Sequence, residues 1–290
     1  MIECFDYFHK NAAELTRKKL FLFDLDGTIY EENNLFDGAL ELLNLITLND
    51  GRYVFITNNS SKSVTDYIDK VNRLGITASE NNFFTSAQAT ILYIEKNYPG
   101  CTVYCQGTYS LIQELKNAGI NVVTEAIPKV DIVLVGFDTE LTSEKIRKTC
   151  ELLQRDVVFL ATNPDLACPV SFGFIPDCGS ICGMLKNATG KDPIYIGKPE
   201  PTMVNIVAEK YGYEADEICV IGDRLYTDIA TGNNAGVTSI CVLTGEATER
   251  DIIEGNIKPS YTFASIKELF DVINRLHEDC SGQAFCNTTT

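Results

Sequence analysis

The stretch that most limits what this chain can fold into is FLFDLDGTIY, residues 21–30. Apolar residues run from Leu20 to Phe23 and stop abruptly at Asp24-Leu25-Asp26-Gly27-Thr28. An apolar run without polar alternation reads as a strand buried on both faces, as in a parallel sheet covered by helices. Asp24 and Asp26, two apart at the carboxyl end of such a strand, are expected to point the same way because strand side chains alternate. Gly27 then allows a sharp turn. Open parallel sheets bind their ligands at the carboxyl ends of their strands, and two carboxylates held there need a cation or a proton between them. An acidic turn closing a strand is the alternative, and this stretch alone does not separate the two.

The pattern recurs. Helical spacing at Leu40, Leu43 and Ile46 leads to a second buried strand, Tyr53–Ile56, which ends in Thr57-Asn58-Asn59-Ser60. A helix over 64–74, a short segment at Phe83-Phe84 and a capped helix from Thr85-Ser86 follow. The alternation predicts strands at 101–106, 120–123, 130–136 and 157–161, with helices at 109–118 and 143–154. A long irregular stretch, 162–180, precedes a short helix at 181–188. Buried strands then return at Ile218–Ile221, ending in Gly222-Asp223, and at Ser239–Leu243, before a helix at 265–276 and a tail expected to fray from Cys280. Residues 1–19 read as a helix or a loose arm. The fold class is α/β, a doubly wound, Rossmann-like parallel sheet.

Composition narrows the function. A formal charge of −16 disfavours nucleic-acid and anionic-membrane partners, which need basic surface. No apolar stretch is long enough to span a bilayer, and the polar, mixed-charge N-terminus does not read as a signal peptide. The 11 cysteines are scattered and lack the CxxC knuckles or histidine partners of a zinc site. Reduced thiols in a cytoplasmic protein are the expectation.

Acidic residues, a hydroxyl, an amide and one lysine therefore stand at predicted strand and loop ends: Asp24 and Asp26, Thr57 and Asn58, Lys198, then Asp223 and Asp228. That is the set a phosphoryl site with bound magnesium requires. Carboxylate oxygens suit a hard cation, Thr57 and Asn58 can donate to phosphate oxygens, and Lys198 offsets the charge brought together by the phosphate and Asp24.

In this order the motifs resemble the haloacid dehalogenase superfamily: DLDGT its first motif, TNNS its second, Lys198 of IGKPEP its third, GDRLYTD its fourth. FFTSAQAT, LATNPD, IGKPEPTM and VLTGEAT are similar to the NagD-like, 4-nitrophenylphosphatase branch. The resemblance implies that Asp24 is a nucleophile forming an aspartyl phosphate, and that Asp26 is the general acid and then the base. It also implies magnesium held by Asp24, the Asp26 backbone carbonyl and Asp223, with Asp228 supporting the metal's waters or orienting Lys198.

The interval from Thr57 to Lys198 far exceeds a βαβ crossover, so an inserted α/β cap is expected there, over 99–192, with a catalytic core in 1–98 and 193–290. Asn163, Asp165 and Asp177 mark a candidate specificity loop, with a structural connection as the equal alternative. Asp177, in Pro176-Asp177-Cys178-Gly179, departs from the branch's usual pattern; it could select a cationic or polyhydroxyl substrate or simply face solvent. Leu141-Thr142-Ser143 departs as well. The expected function is a magnesium-dependent phosphatase for a small phosphate monoester such as a sugar phosphate or nucleotide, with a homodimer through the cap. A phosphotransferase or mutase, a non-catalytic relative and a phospho-acceptor module are the alternatives.

Overall fold

The computed structural model describes residues 4–170 and 172–286. Residues 287–290, part of the expected frayed tail, lie outside them. The first half of the chain runs β1 (Leu20–Phe23), β2 (Tyr30–Glu31), β3 (Asn34–Leu35), α1 (Ala39–Leu48), β4 (Arg52–Thr57), α2 (Val64–Arg73), β5 (Phe83–Thr85) and α3 (Ser86–Asn97). It continues through β6 (Thr102–Gln106), α4 (Tyr109–Asn117), β7 (Asn121–Val123), β8 (Ile132–Val135), α5 (Ser143–Leu153) and β9 (Val158–Ala161). Next come β10 (Ala167–Val170), β11 (Gly173–Pro176), α6 (Cys178–Thr189), β12 (Ile194–Tyr195) and α7 (Thr202–Tyr211). The last elements are β13 (Ile218–Gly222), α8 (Ala230–Asn234), β14 (Thr238–Val242), α9 (Glu249–Glu254), β15 (Tyr261–Phe263) and α10 (Ile266–Cys286).

The chain forms two compact units: residues 1–56, 70–83 and 204–290, and residues 57–69 and 84–203. The first is built on a six-stranded sheet of order β15-β14-β13-β1-β4-β5. Its pairings β1–β13, β1–β4, β13–β14 and β14–β15 are parallel. All four residues of β1 and all five of β13 are buried, as continuous apolar runs in a two-sided parallel sheet should be. The order reverses beside β1, so the ends of β1 and β13 lie at the position where such sheets take their ligands.

The second unit holds a five-stranded sheet, β12-β9-β8-β6-β7, again parallel throughout. The expected cap, 99–192, falls inside this unit, which also takes in 57–69, 84–98 and 193–203.

Three local expectations are corrected. The stretch at 162–180 is not irregular: it contains the antiparallel hairpin β10–β11. Helix α6 begins at Cys178, three residues early, because the Asp177 carboxylate accepts the Cys178 N–H and caps it. Helix α10 continues through Cys286, past the point where fraying was expected. The N-terminal arm contains a 3-10 turn at Ala13–Arg17, and the Tyr7 N–H donates to the Thr262 carbonyl of edge strand β15 at 2.7 Å. Among the described residues no helix is long and apolar enough to cross a membrane.

Candidate active site

In the first unit, the Asp24 N–H donates to the Ile221 carbonyl at 2.8 Å, which carries the β1–β13 ladder one residue beyond β1. The backbone then turns tightly over Leu25, whose carbonyl accepts from Thr28, Ile29 and Tyr30. Gly27 takes φ +85° in this turn, a conformation that side chains with a Cβ rarely adopt.

On the neighbouring strand, β13 ends at Gly222 and a π-type turn over Leu225–Ile229 brings Asp228 back towards Asp223. Turns of this type gather at functional sites. One carboxylate oxygen from each of Asp24, Asp223 and Asp228 lies within 4.8 Å of the others. Asp223 and Asp228 are buried and Asp24 is half-buried.

Backbone donors and small residues hold these carboxylates. Asp223 Oδ2 accepts the Glu246 N–H at 2.8 Å, and Asp228 Oδ2 accepts the Arg224 N–H at 3.1 Å. A Cβ on Gly245 would sit 2.0 Å from Asp223 Oδ2, and one on Gly222 would sit 2.4 Å from Asp228 Oδ2. The cluster exists because glycine leaves that space.

Three oxygen donors converging on one point from a rigid sheet edge suit a hard divalent cation. Asp228, expected only to support, contributes a carboxylate to the cluster itself. The Asp26 side chain is not part of it. Its carboxylate is largely exposed, 3.5 Å from Lys70 Nζ and 3.5 Å from the Tyr30 hydroxyl, while Lys70 Nζ lies 3.7 Å from the centre of the Tyr30 ring.

Charge follows this geometry. Burial opposes ionisation of Arg224, but the charge of Asp24, then those of Tyr226, Asp223 and Glu246, raise its pKa and hold the guanidinium charged. Burial pushes the Cys241 thiol up to about 12, assisted by the charges of Asp223 and Asp228, so it stands beside the cluster as a neutral group.

In the second unit, Asn58 is the centre of a buried network. Its Nδ2 donates to Asp165 Oδ1 at 3.0 Å and to the Lys198 carbonyl at 2.9 Å, while its Oδ1 accepts the Lys198 N–H at 2.8 Å. The Asn58 carbonyl accepts from Ser86 Oγ and from Asn163 Nδ2, and Asn163 Oδ1 accepts the Asp165 N–H.

Both amide protons of the Asn58 side chain, expected at a phosphate, are spent here on Asp165 and the Lys198 carbonyl, and the side chain holds the Lys198 backbone on both sides. Asn163 and Asp165, expected on a specificity loop, brace the same network. Asp177 is the buried cap of α6, 5 % exposed, and so does not face solvent. Thr57 is buried at the end of β4, its hydroxyl oxygen accepting the Asn59 N–H at 3.2 Å. Lys198 is 2 % exposed.

Residues 21–121 match a family described as haloacid dehalogenase-like hydrolase, and residues 195–269 match one described as HAD-hydrolase-like. An acid sugar phosphatase of Staphylococcus saprophyticus is 34% identical over 260 residues, covering 90% of this chain and 98% of the relative. The chain belongs to the haloacid dehalogenase-like hydrolases. Within that family its likeness is to the NagD-like branch. A 4-nitrophenylphosphatase from Thermotoga maritima superposes with a TM-score of 0.85 at 36% identity, over 90% of this chain and 99% of that one. A glycerol phosphate phosphatase from Mycobacterium tuberculosis, determined in complex with magnesium and with calcium, is also similar. Its magnesium complex has a TM-score of 0.83 at 29% identity, over 88% of this chain and 77% of that one.

In this haloacid dehalogenase-like hydrolase, Asp24, Asp223 and Asp228 could together offer a divalent ion three carboxylate oxygens. Sequence reasoning missed Gly245, Arg224 and Glu246. The VLTGEAT stretch held the signal, since a glycine next to an acidic residue just past a buried strand marks a loop at the same sheet edge.

Proposed function

We propose that the chain hydrolyses a small phosphate monoester through a covalent phosphate on Asp24. The observation that carries this reading is the convergence of Asp24, Asp223 and Asp228 at the ends of β1 and β13. An Asp24 oxygen attacks phosphorus in line, and the bond to the leaving alcohol oxygen breaks. Asp26 gives that oxygen its proton, then takes one from the water that hydrolyses the aspartyl phosphate, so both carboxyl groups end as they began. Its exposed side chain, outside the cluster, suits proton exchange with a substrate oxygen. A general acid in that role contributes about 10²–10⁴ in rate, or roughly 3–5 kcal/mol.

Asp24, Asp223 and Asp228, with the Asp26 carbonyl, would hold the divalent ion, magnesium in this proposal. Bound there, it supplies the positive charge that phosphate and carboxylates together require. Thr57 has a hydroxyl proton to give a phosphate oxygen, and Lys198, its backbone fixed on both sides by Asn58, adds fixed positive charge.

Residues 1–98 and 193–290 are assigned as catalytic core and 99–192 as the cap that selects substrate. The names of the relatives, acid sugar phosphatase and glycerol phosphate phosphatase, favour a sugar or polyol phosphate. A cytoplasmic homodimer completes the proposal.

The test is release of 4-nitrophenol from 4-nitrophenyl phosphate with magnesium and with excess chelator. Turnover that needs the metal and is lost in Asp24→Asn is expected. Metal-independent turnover, or an active Asp24→Asn variant, contradicts the reading.

A further inference from the structure

Arg224 and Glu246 lie on different loops, after β13 and after β14, yet each supports the carboxylate cluster from its backbone. The Arg224 N–H binds Asp228 and the Glu246 N–H binds Asp223. Their side chains also meet. Arg224 Nε is 3.0 Å from Glu246 Oε2, but that N–H makes no hydrogen bond, so the contact is one of charge. The Tyr226 hydroxyl donates to the same Glu246 oxygen at 3.3 Å.

The guanidinium is mostly buried, and of the acidic groups that act on it Asp24 is the strongest. Arg224 is therefore a cation held against a half-exposed glutamate outside the cluster, on two residues whose backbones bind Asp228 and Asp223, with the charge of Asp24 acting on it. A cation free to settle on the three carboxylates would compete with a metal ion for the same oxygens. One pinned beside them relieves their mutual repulsion and leaves the oxygens available.

We propose that Glu246 is a positioning residue that acts through Arg224, pinning the guanidinium beside the carboxylate cluster and so setting how readily the cluster accepts a divalent cation. The inference rests on the divalent-ion reading of Asp24, Asp223 and Asp228. It adds that the metal affinity of the site is governed by a residue that touches neither metal nor substrate.

The test is calorimetric titration of the full chain with magnesium alone, without substrate, alongside melting of the metal-free protein. Glu246→Gln keeps the shape and the exposed position and removes the charge. It should weaken magnesium binding about tenfold, the lower end of the range for residues that orient metal ligands. In an Arg224→Met background no guanidinium remains to be pinned, so adding Glu246→Gln should change the affinity less than twofold.

An unchanged affinity in Glu246→Gln overturns the proposal, and so does a penalty of equal size in both backgrounds. A lower melting temperature with magnesium binding intact reduces the pair to a structural contact and also overturns it. Wild-type protein that takes up no magnesium would defeat the divalent-ion reading itself, an outcome distinct from any behaviour of the variants.

Discussion

Gly245 stands so close to Asp223 that a single added methyl group would lie 2.0 Å from Asp223 Oδ2 and 2.5 Å from its Cγ. No carboxylate can keep its place under that overlap, because a Cβ does not approach another atom so closely. The loop after β14 thus shapes the cluster as much as the strands that supply its acids.

Gly245→Ala should therefore displace Asp223 while leaving the sheet intact. Displacements of about 1 Å at a reacting centre cost on the order of 100-fold. A fall of that size in kcat/KM for 4-nitrophenyl phosphate, with an unchanged far-ultraviolet circular dichroism spectrum, is expected. An alanine variant with full activity would show that the Asp223 position is not critical.

Asn58→Ala should cost stability as well as activity. It removes the partners that Asp165 Oδ1, the Lys198 carbonyl and the Lys198 N–H find in one buried side chain. Each of these three hydrogen bonds contributes roughly 1 kcal/mol. A loss on the order of 3 kcal/mol in urea unfolding is expected. Asn58→Asp should be worse, since a carboxylate would then confront Asp165 and the Lys198 carbonyl with no proton to give either.

The second unit contains a group that works against it at high pH. Burial pushes the Glu114 carboxyl on α4 up from 4.5 to about 7. The folded form then holds a proton that the unfolded chain has released, so stability declines as pH rises between those values, and the full penalty stands above 7. Glu114→Gln should raise Tm at pH 8 and leave it unchanged near pH 4.5. The carboxyl keeps some solvent contact, so a gain of about 2–4 °C is the expected size, matching about 1 kcal/mol in a domain of this length. Equal Tm values for the two proteins at pH 8 would contradict the assignment.

Much of the site was legible because its chemistry lies at the ends of continuous apolar runs. Leu20–Phe23 and Ile218–Ile221 announce buried strands, and the acids that follow them reach one sheet edge by the topology alone. Relationships across the chain were not legible. Asn58 shows an amide in the sequence, but its partner Asp165 is 107 residues away, and only the fold reveals that the amide is already committed. Gly245 reads as a loop residue until Asp223 is seen beside it. The β10–β11 hairpin escaped because its strands contain Pro169 and Pro176 and leave Phe174 72% exposed, so neither composition nor alternation marks them. Asp177 carries a readable signal, an aspartate just before a helix, and the structure uses it as the cap of α6.

The central claim is that phosphate passes through a bond to Asp24, and the most direct measurement is mass spectrometry of protein quenched in acid during turnover. Asp26→Ala should slow the hydrolysis that clears the intermediate, so that variant is the one to quench. The account predicts one added phosphate, on the peptide that contains Asp24. Phosphate on another residue, or steady turnover with no phosphorylated peptide in either the wild-type or the Asp26→Ala protein, would contradict it.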